Sequence, residues 1–182
     1  DKARAEAKKK VPCVIVLPVE TGVNIDPNVT YEDAEVVETG ARFMDGVIAE
    51  ELAGHENVRV LSKRQLTSLM PEDANTRIAL IKAVGNELKC GAVMITSLSE
   101  YRQRVGGSLG ADVPASAAFS MRLISADNGS VIWAGQFKET QQSLMSNIMS
   151  FEKAQSRGFK WITVEELVRQ GLGEKIRECP YL

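Results

Sequence analysis

The fold is decided by residues 116–141, SAAFSMRLISADNGSVIWAGQFKETQ. Apolar and small side chains take alternate positions on both sides of a central turn: Ala117, Phe119, Met121 and Leu123, then Val131, Trp133, Gly135 and Phe137. A period of two is typical of strands with one buried face. Asn128-Gly129 lies between them, a pair that tight hairpins favour because both positions can take φ > 0. The stretch predicts an antiparallel hairpin.

The residues before the hairpin predict strands that alternate with helices. Residues 11–19, VPCVIVLPV, indicate a strand buried on both faces and ended by Pro18. A polar connection over 20–36 leads to a helix at about 37–53. One side of that helix is apolar: Met44, Val47, Ile48 and Leu52.

The middle of the chain repeats this alternation. We predict a short strand at 57–62, a helical turn at 63–70 and a helix at 75–89 capped by Asn75 or Thr76. The helix has a stripe of Ile78, Ile81, Val84, Gly85 and Leu88. A strand at 92–104 follows.

The remaining segments are predicted to be a connection before the hairpin and helices after it. Residues 105–114, VGGSLGADVP, predict a flexible connection between strands, and residues 143–158 are helix-prone. Thr163 and Glu166 have the spacing of a capping box, in which each side chain binds a backbone N–H at the start of a helix. Val164, Leu167, Val168, Gly171 and Leu172 form its apolar stripe.

Together these elements predict an α/β fold: a mixed β-sheet with flanking helices in the order β-α-β-α-β-β-β-α. Helices between the early strands imply parallel neighbours, and the hairpin implies antiparallel ones. We expect one domain over residues 11–182. Residues 1–10 are charged and lack an apolar stripe, and we interpret them as a flexible tether or a frayed helix.

Composition excludes several classes of function. The chain has 182 residues, 44% hydrophobic and 25% charged, and a net charge of -2, as in ordinary globular proteins. Its basic residues are spread out, whereas nucleic-acid binding needs a clustered basic surface. No apolar run approaches the roughly 20 residues that span a bilayer. We expect no nucleic-acid partner.

The three cysteines, Cys13, Cys90 and Cys179, show no metal or redox spacing. Cys13 lies in an apolar strand and Cys90 at a helix-to-strand junction. This placement favours two buried hydrophobic residues, and a Cys–Cys bridge in an oxidising compartment is the alternative. An odd number leaves at least one thiol unpaired in a monomer.

The residues predict no catalytic site, cofactor site or metal site. His55 is the only histidine, and a solvated or capping role near a helix end is favoured over catalysis. The glycines at 106, 107 and 110 precede a strand, whereas phosphate loops precede a helix. The acidic pairs Glu50-Glu51 and Glu165-Glu166 show no spacing for glycoside chemistry, and Glu166 has its capping role.

Four segments together resemble a family of bacterial envelope lipoproteins that includes the amino-terminal domain of TolB, CsgG and LpoB. They are VIVLPVE (14–20), ARFMDGVIAEELAGHENVRVLSKRQL (41–66), KAVGNELKCGAVMITSLSEYR (82–102) and MRLISADNGSVIWAGQF (121–137). The resemblance covers roughly residues 11–140. The connections over 20–36 and 105–114 look longer than in the family, and 142–160 looks like an addition.

The resemblance implies a TolB-like fold and a periplasmic domain, tethered to the outer membrane by an amino-terminal lipid anchor absent from this chain. Its implied role is non-enzymatic: it scaffolds or regulates an envelope complex through other envelope proteins, with self-association in part of the family. We expect protein contacts at Arg104, Leu109, Phe159 and Trp161. For Phe159 and Trp161, closure of the last helix onto the sheet is an equal alternative.

Two other functions compete with this interpretation. One is a regulatory domain that binds a small molecule or nucleotide at the carboxyl ends of the parallel strands. The other is an enzyme, which the missing chemistry disfavours. For Trp133, Phe137, Phe119 and Met121, core packing is the expected role and an exposed aromatic patch is the alternative.

Overall fold

Six strands and five helices make up the parts of the chain that the computed structural model describes, residues 2–22, 31–71, 76–106, 113–140 and 162–182. The strands are β1 (Val14–Val16), β2 (Glu20–Thr21), β3 (Val58–Val60), β4 (Ala92–Arg102), β5 (Ser116–Ser125) and β6 (Val131–Thr140). The helices are α1 (Lys2–Lys10), α2 (Tyr31–Glu51), α3 (Lys63–Leu69), α4 (Arg77–Leu88) and α5 (Val164–Glu178).

The strands form one mixed sheet in the order β3-β1-β4-β5-β6, with β2 pairing β4 beyond the end of β1. β1 is parallel to β3 and β4, and β2 is parallel to β4. β4, β5 and β6 are antiparallel neighbours. Helical crossovers account for the parallel pairs and short turns for the antiparallel pairs. The predicted mixed α/β architecture is confirmed.

The two faces of the sheet carry separate hydrophobic cores. On the first face, α2 and α5 pack over β4, β5 and β6. On the second face, α3 and α4 pack over a smaller core around β1 and β4. Val14 and Val16 face the first core and Ile15 faces the second, so β1 is buried on both faces as predicted.

The hairpin is confirmed, but its turn differs from the prediction. Ala117, Phe119, Met121 and Leu123 are all buried in the first core. The turn spans residues 126–129, because the amide of Ser125 donates to the carbonyl of Ser130 (2.8 Å). Within it only Gly129 has a positive φ, of 75°. The longer turn shifts the register near the start of β6, and Val131 is 53% exposed instead of facing the core.

Helix α2 begins at Tyr31, earlier than the predicted start near residue 37. Glu32 and Asp33 lie in its first turn, where negative side chains stabilise the positive end of the helix dipole. The polar connection that we predicted over 20–36 is therefore shorter and also contains β2. The predicted apolar side is confirmed, since Met44, Val47, Ile48 and Leu52 are buried.

The remaining helices follow the sequence closely, with one exception. Thr76 caps α4 and Thr163 forms the predicted capping box with Glu166 at the start of α5. Ile78 is 51% exposed, although we placed it in the apolar stripe of α4. It lies in the first turn of the helix and is directed at Gly129 of the hairpin turn. The helix-prone segment 143–158 lies outside the described residues.

Candidate interaction surfaces

The sheet gives the molecule two opposite ends. At the carboxyl pole, defined by Glu20, Glu38, Lys63, Arg77, Gln103 and Glu165, the parallel strands end and helices α2, α3, α4 and α5 begin. Strand β6 also ends there, because Arg102, Ser116 and Thr140 lie side by side. Of the predicted contact residues, only Arg104 is described at this pole. Leu109, Phe159 and Trp161 lie outside the described residues.

Gln103 connects the end of β4 to the start of α5. Its side-chain oxygen accepts the amide N–H of Val164 (3.2 Å) and the amide N–H of Arg104 (3.1 Å). Its side-chain nitrogen donates to the carboxylate of Glu165 (2.9 Å). One amide side chain therefore binds three groups, and the half-buried Arg104 follows directly from this fixed backbone. No local motif in the sequence marks this role of Gln103.

Glu165 is bound from several sides. Burial raises the pKa of its carboxyl group, but hydrogen bonds from its own amide, Gln103, Thr163 and Tyr101 outweigh burial and lower the pKa overall. Burial, then the negative charge of Glu165, raises the pKa of Tyr101. The phenol therefore stays protonated and donates to the carboxylate. Tyr101 also packs against Gly40 of α2, where a Cβ atom would overlap the ring at 2.5 Å.

A second polar group lies where β2 meets α2. The hydroxyl of Thr21 donates to Glu38 (2.6 Å) and lowers the pKa of that carboxyl group. Asp45 accepts the amide N–H of Val19 (2.8 Å), and burial raises its pKa. Glu20 forms an ion pair with Arg77 at 2.9 Å. These contacts tie the segment 19–21 to the middle of α2 and to the start of α4.

The outer part of the hairpin leaves one side of the sheet uncovered by described helices. We call this surface the open face and define it by Ser97, Ser120, Arg122, Ala134, Gln136 and Lys138, which are cross-strand neighbours on the side opposite Phe119 and Met121. Arg122, Ala134, Gln136 and Lys138 are exposed. Helix α4 reaches the hairpin at its turn, where Gly85 lies against Ala126. The open face carries two positive charges, on Arg122 and Lys138.

The start of α2 carries the opposite charge. We call Glu32, Asp33 and Glu35 the acidic turn, and all three side chains are exposed. Val36 beside them is 45% exposed. Because α2 packs on the first face of the sheet, the acidic turn and the open face lie on opposite sides of the molecule.

The amino pole is formed by α1, the connection before β3 and the end of the chain. Arg4 donates to the carbonyl of Arg177, and Asn57 donates to the carbonyl of Tyr181 (2.9 Å). A cavity of about 440 Å³ is lined by Lys8, Ala53, Gly54, His55, Glu56 and Asn57. The amide of His55 donates to Leu52, so this residue lies at a helix end as predicted. This cavity is at the opposite end from the ligand pocket that we considered.

Cys13 and Cys90 form a disulfide bond, which corrects our preference for two unpaired hydrophobic residues. The two residues precede β1 and β4, whose first residues, Val14 and Ala92, pair in parallel register. The Cα atoms are 4.6 Å apart, within the range that disulfides require. A bridge was the alternative for these cysteines, and their spacing does not favour it, because 77 residues separate them. Cys179 is the remaining thiol and is buried.

Within the described ranges, no cluster of three or more His, Cys, Asp or Glu side chains is arranged to hold a metal ion. Within the same ranges, no helix has the length and apolar character to cross a membrane.

No family model matches this sequence, and no curated protein matches it. Among solved structures, the chain has the fold of PelC from Paraburkholderia phytofirmans, described as a dodecamer. The TM-score is 0.50 at 13% identity, and the match covers 93% of this chain and 86% of PelC. The mixed α/β fold therefore also occurs in PelC, whose structure is described as a dodecamer.

Two further matches are more distant. The LpoB C-terminal domain from Escherichia coli matches with a TM-score of 0.39 at 18% identity, over 76% of this chain and 96% of that one. Lipoprotein GNA1162 from Neisseria meningitidis matches with a TM-score of 0.37 at 17% identity, over 80% and 91%. LpoB is one of the proteins named in the sequence resemblance, and the resemblance to that family, with TolB and CsgG, stays a prediction.

Proposed function

We propose that this chain is a non-enzymatic, periplasmic domain that binds other envelope proteins and further copies of itself, scaffolding or regulating an envelope complex. In this proposal a lipid anchor on the amino-terminal side tethers the domain to the outer membrane. The arrangement of the fold into two opposite poles carries the proposal. Helix α1 lies at the amino pole, so a tether there directs the carboxyl pole away from the membrane.

The disulfide supports the proposed location. Disulfide bonds persist in oxidising compartments such as the bacterial periplasm and are rare in the cytosol. The Cys13–Cys90 bond joins neighbouring strands within the fold, so it has a structural position and not that of an exposed redox pair.

The carboxyl pole supports the proposed contact with other proteins. The side chain of Gln103, itself bound to Glu165, holds the amide of Arg104, and a surface held in place before binding loses less conformational entropy when a partner docks. The proposed contact comprises Arg104 together with Leu109, Phe159 and Trp161. Self-association is supported by the likeness to PelC, whose structure is described as a dodecamer.

Cross-linking in intact cells tests the proposal. The full-length protein, with its native amino-terminal region, is given a photo-reactive residue in place of Arg104 or, as a matched control, in place of Lys82 on α4. We expect cross-links to specific envelope proteins from position 104 and few from position 82. Loss of those cross-links in the Trp161→Ala variant would extend the contact to Trp161. An absence of protein cross-links from position 104 would contradict the proposal.

A further inference from the structure

We propose that the open face binds the acidic turn of a second copy of this chain, so that copies join head to tail. This inference names the surfaces for the self-association in the proposed function and rests on it. The open face lies on β4, β5 and β6, and the acidic turn is the start of α2.

The shape of the open face suits a docked helix. Its central positions, Ser97, Ser120 and Ala134, have short side chains, so a partner backbone can approach the sheet closely. Longer side chains, Arg122, Gln136 and Lys138, extend from the same surface. Residues on one face of neighbouring strands act together because their Cβ atoms lie about 5 Å apart.

The charges of the two surfaces are complementary. Arg122 and Lys138 are exposed cations on the open face, and Glu32, Asp33 and Glu35 are exposed anions on the acidic turn. The nearby Arg102 and Glu100 form an ion pair with each other at 3.4 Å, so they leave the net positive charge of the open face unchanged. The exposed Val36 adds an apolar group to the acidic turn.

Both complementary surfaces belong to this chain, which favours another copy as the partner. The acidic turn is part of α2, which packs on the first side of the sheet, and the open face is on the second side, so the sheet separates the two surfaces of one molecule. After one contact forms, each end of the pair still offers one unused surface. Such a head-to-tail contact is heterologous and generates a ring if its rotation closes or a filament if it does not.

Complementary charges of this kind govern specificity and the rate of association more than they add affinity. We therefore expect sedimentation of the wild-type protein to show self-association that weakens by about tenfold or more between about 0.05 M and about 0.5 M salt.

Charge reversal separates this inference from the proposed function. Arg122→Glu/Lys138→Glu makes the open face acidic, and Glu32→Lys/Glu35→Lys makes the acidic turn basic. Each variant alone then presents two surfaces of like charge. We expect each to sediment as a monomer where the wild type associates, and an equimolar mixture to associate with the two variants alternating. Arg64→Glu/Lys82→Glu changes the same number of exposed cations on α3 and α4 and should associate like the wild type.

Three other results would overturn the inference. If the wild type associates and both reversed variants associate equally well, this inference is wrong and the proposed self-association stands. If the wild type stays monomeric throughout, the proposed self-association is wrong as well. If the open-face variant associates normally but proteases cut it faster within 141–161, the open face is covered by that segment of its own chain, and the inference is overturned.

Discussion

The two faces of the sheet are built differently. The first face is closed by the long helices α2 and α5, and its core runs from Val14 to Leu182. The second face is covered by the short helices α3 and α4, its core is smaller, and the hairpin extends beyond it as the open face. Both faces bury apolar side chains, and the second face is the one on which the hairpin has surface that no described helix covers.

Removing the disulfide should have the largest effect on stability, because it closes the small second core. The bond restricts a loop of 77 residues in the unfolded chain. We expect Cys13→Ser/Cys90→Ser to lower the free energy of unfolding by about 4 kcal/mol, measured by urea denaturation. The wild type under reducing conditions should lose a similar amount. Cys179→Ser, which leaves the disulfide intact, serves as the control variant; equal losses in it and in the double variant would contradict the prediction.

Truncating one leucine on each face compares the two cores directly. Leu167 of α5 is fully buried in the first core, whereas Leu66 of α3 is only partly buried against the second. We expect Leu167→Ala to cost about 3 kcal/mol and Leu66→Ala about 1 kcal/mol, since the cost grows with the cavity left behind. Thermal unfolding of both variants checks the difference. Equal losses in the free energy of unfolding would contradict the predicted difference between the two cores.

One polar group in the first core is predicted to reduce stability. Thr96 is fully buried between Met94 and Leu98 on β4, and its hydroxyl has no hydrogen-bond partner among the described residues. A buried hydroxyl without a partner costs about 1–3 kcal/mol, and valine has nearly the same shape. We expect Thr96→Val to raise the free energy of unfolding by about 1 kcal/mol. A lower melting temperature would show that the hydroxyl is bound after all.

The smallest expected change in stability comes from the hydrogen bonds of Glu165, which hold the start of α5 over the first face. The pKa of Glu165 is lowered in the folded protein. A lowered carboxyl pKa contributes stability above the unfolded pKa, and this contribution disappears as the pH falls through the folded pKa. The stability difference between wild type and Glu165→Gln should therefore shrink on acidification below about pH 4.5. Melting temperatures between pH 7 and pH 3 measure it, and a constant difference would contradict the role.

Local signals predicted the elements well where one periodicity dominated. The stripe of α5 from Val164 to Leu172 and its Thr163 cap are confirmed, as is the alternation of β5. A further capping box, Ser62 with Gln65, has the same recognisable spacing and was overlooked. The predicted start of α2 is too late because Glu32, Asp33 and Glu35 lack the apolar pattern, although acidic residues are favourable in a first helical turn.

Features that depend on distant residues could not be predicted. The pairing of Cys13 with Cys90 requires β1 and β4 to be neighbours, and the clamp by Gln103 requires β4 to end beside α5. The exposure of Val131 follows from the length of the hairpin turn and not from its own strand pattern. Of the predicted contact residues, Arg104 is half-buried next to that clamp, and its role stays a prediction.

The disulfide also determines how the fold bears mechanical load. β1 has only three residues. It lies between β3 and β4 and forms hydrogen bonds with both. A pull transmitted through α1 reaches Cys13 before it reaches Val14, and there the covalent bond passes the force to Cys90 and the root of β4, the strand at the centre of the sheet. A force applied at the amino-terminal side would thus act mainly on β4, which has neighbours on both sides. The hydrogen bonds of β1 would carry less of that force.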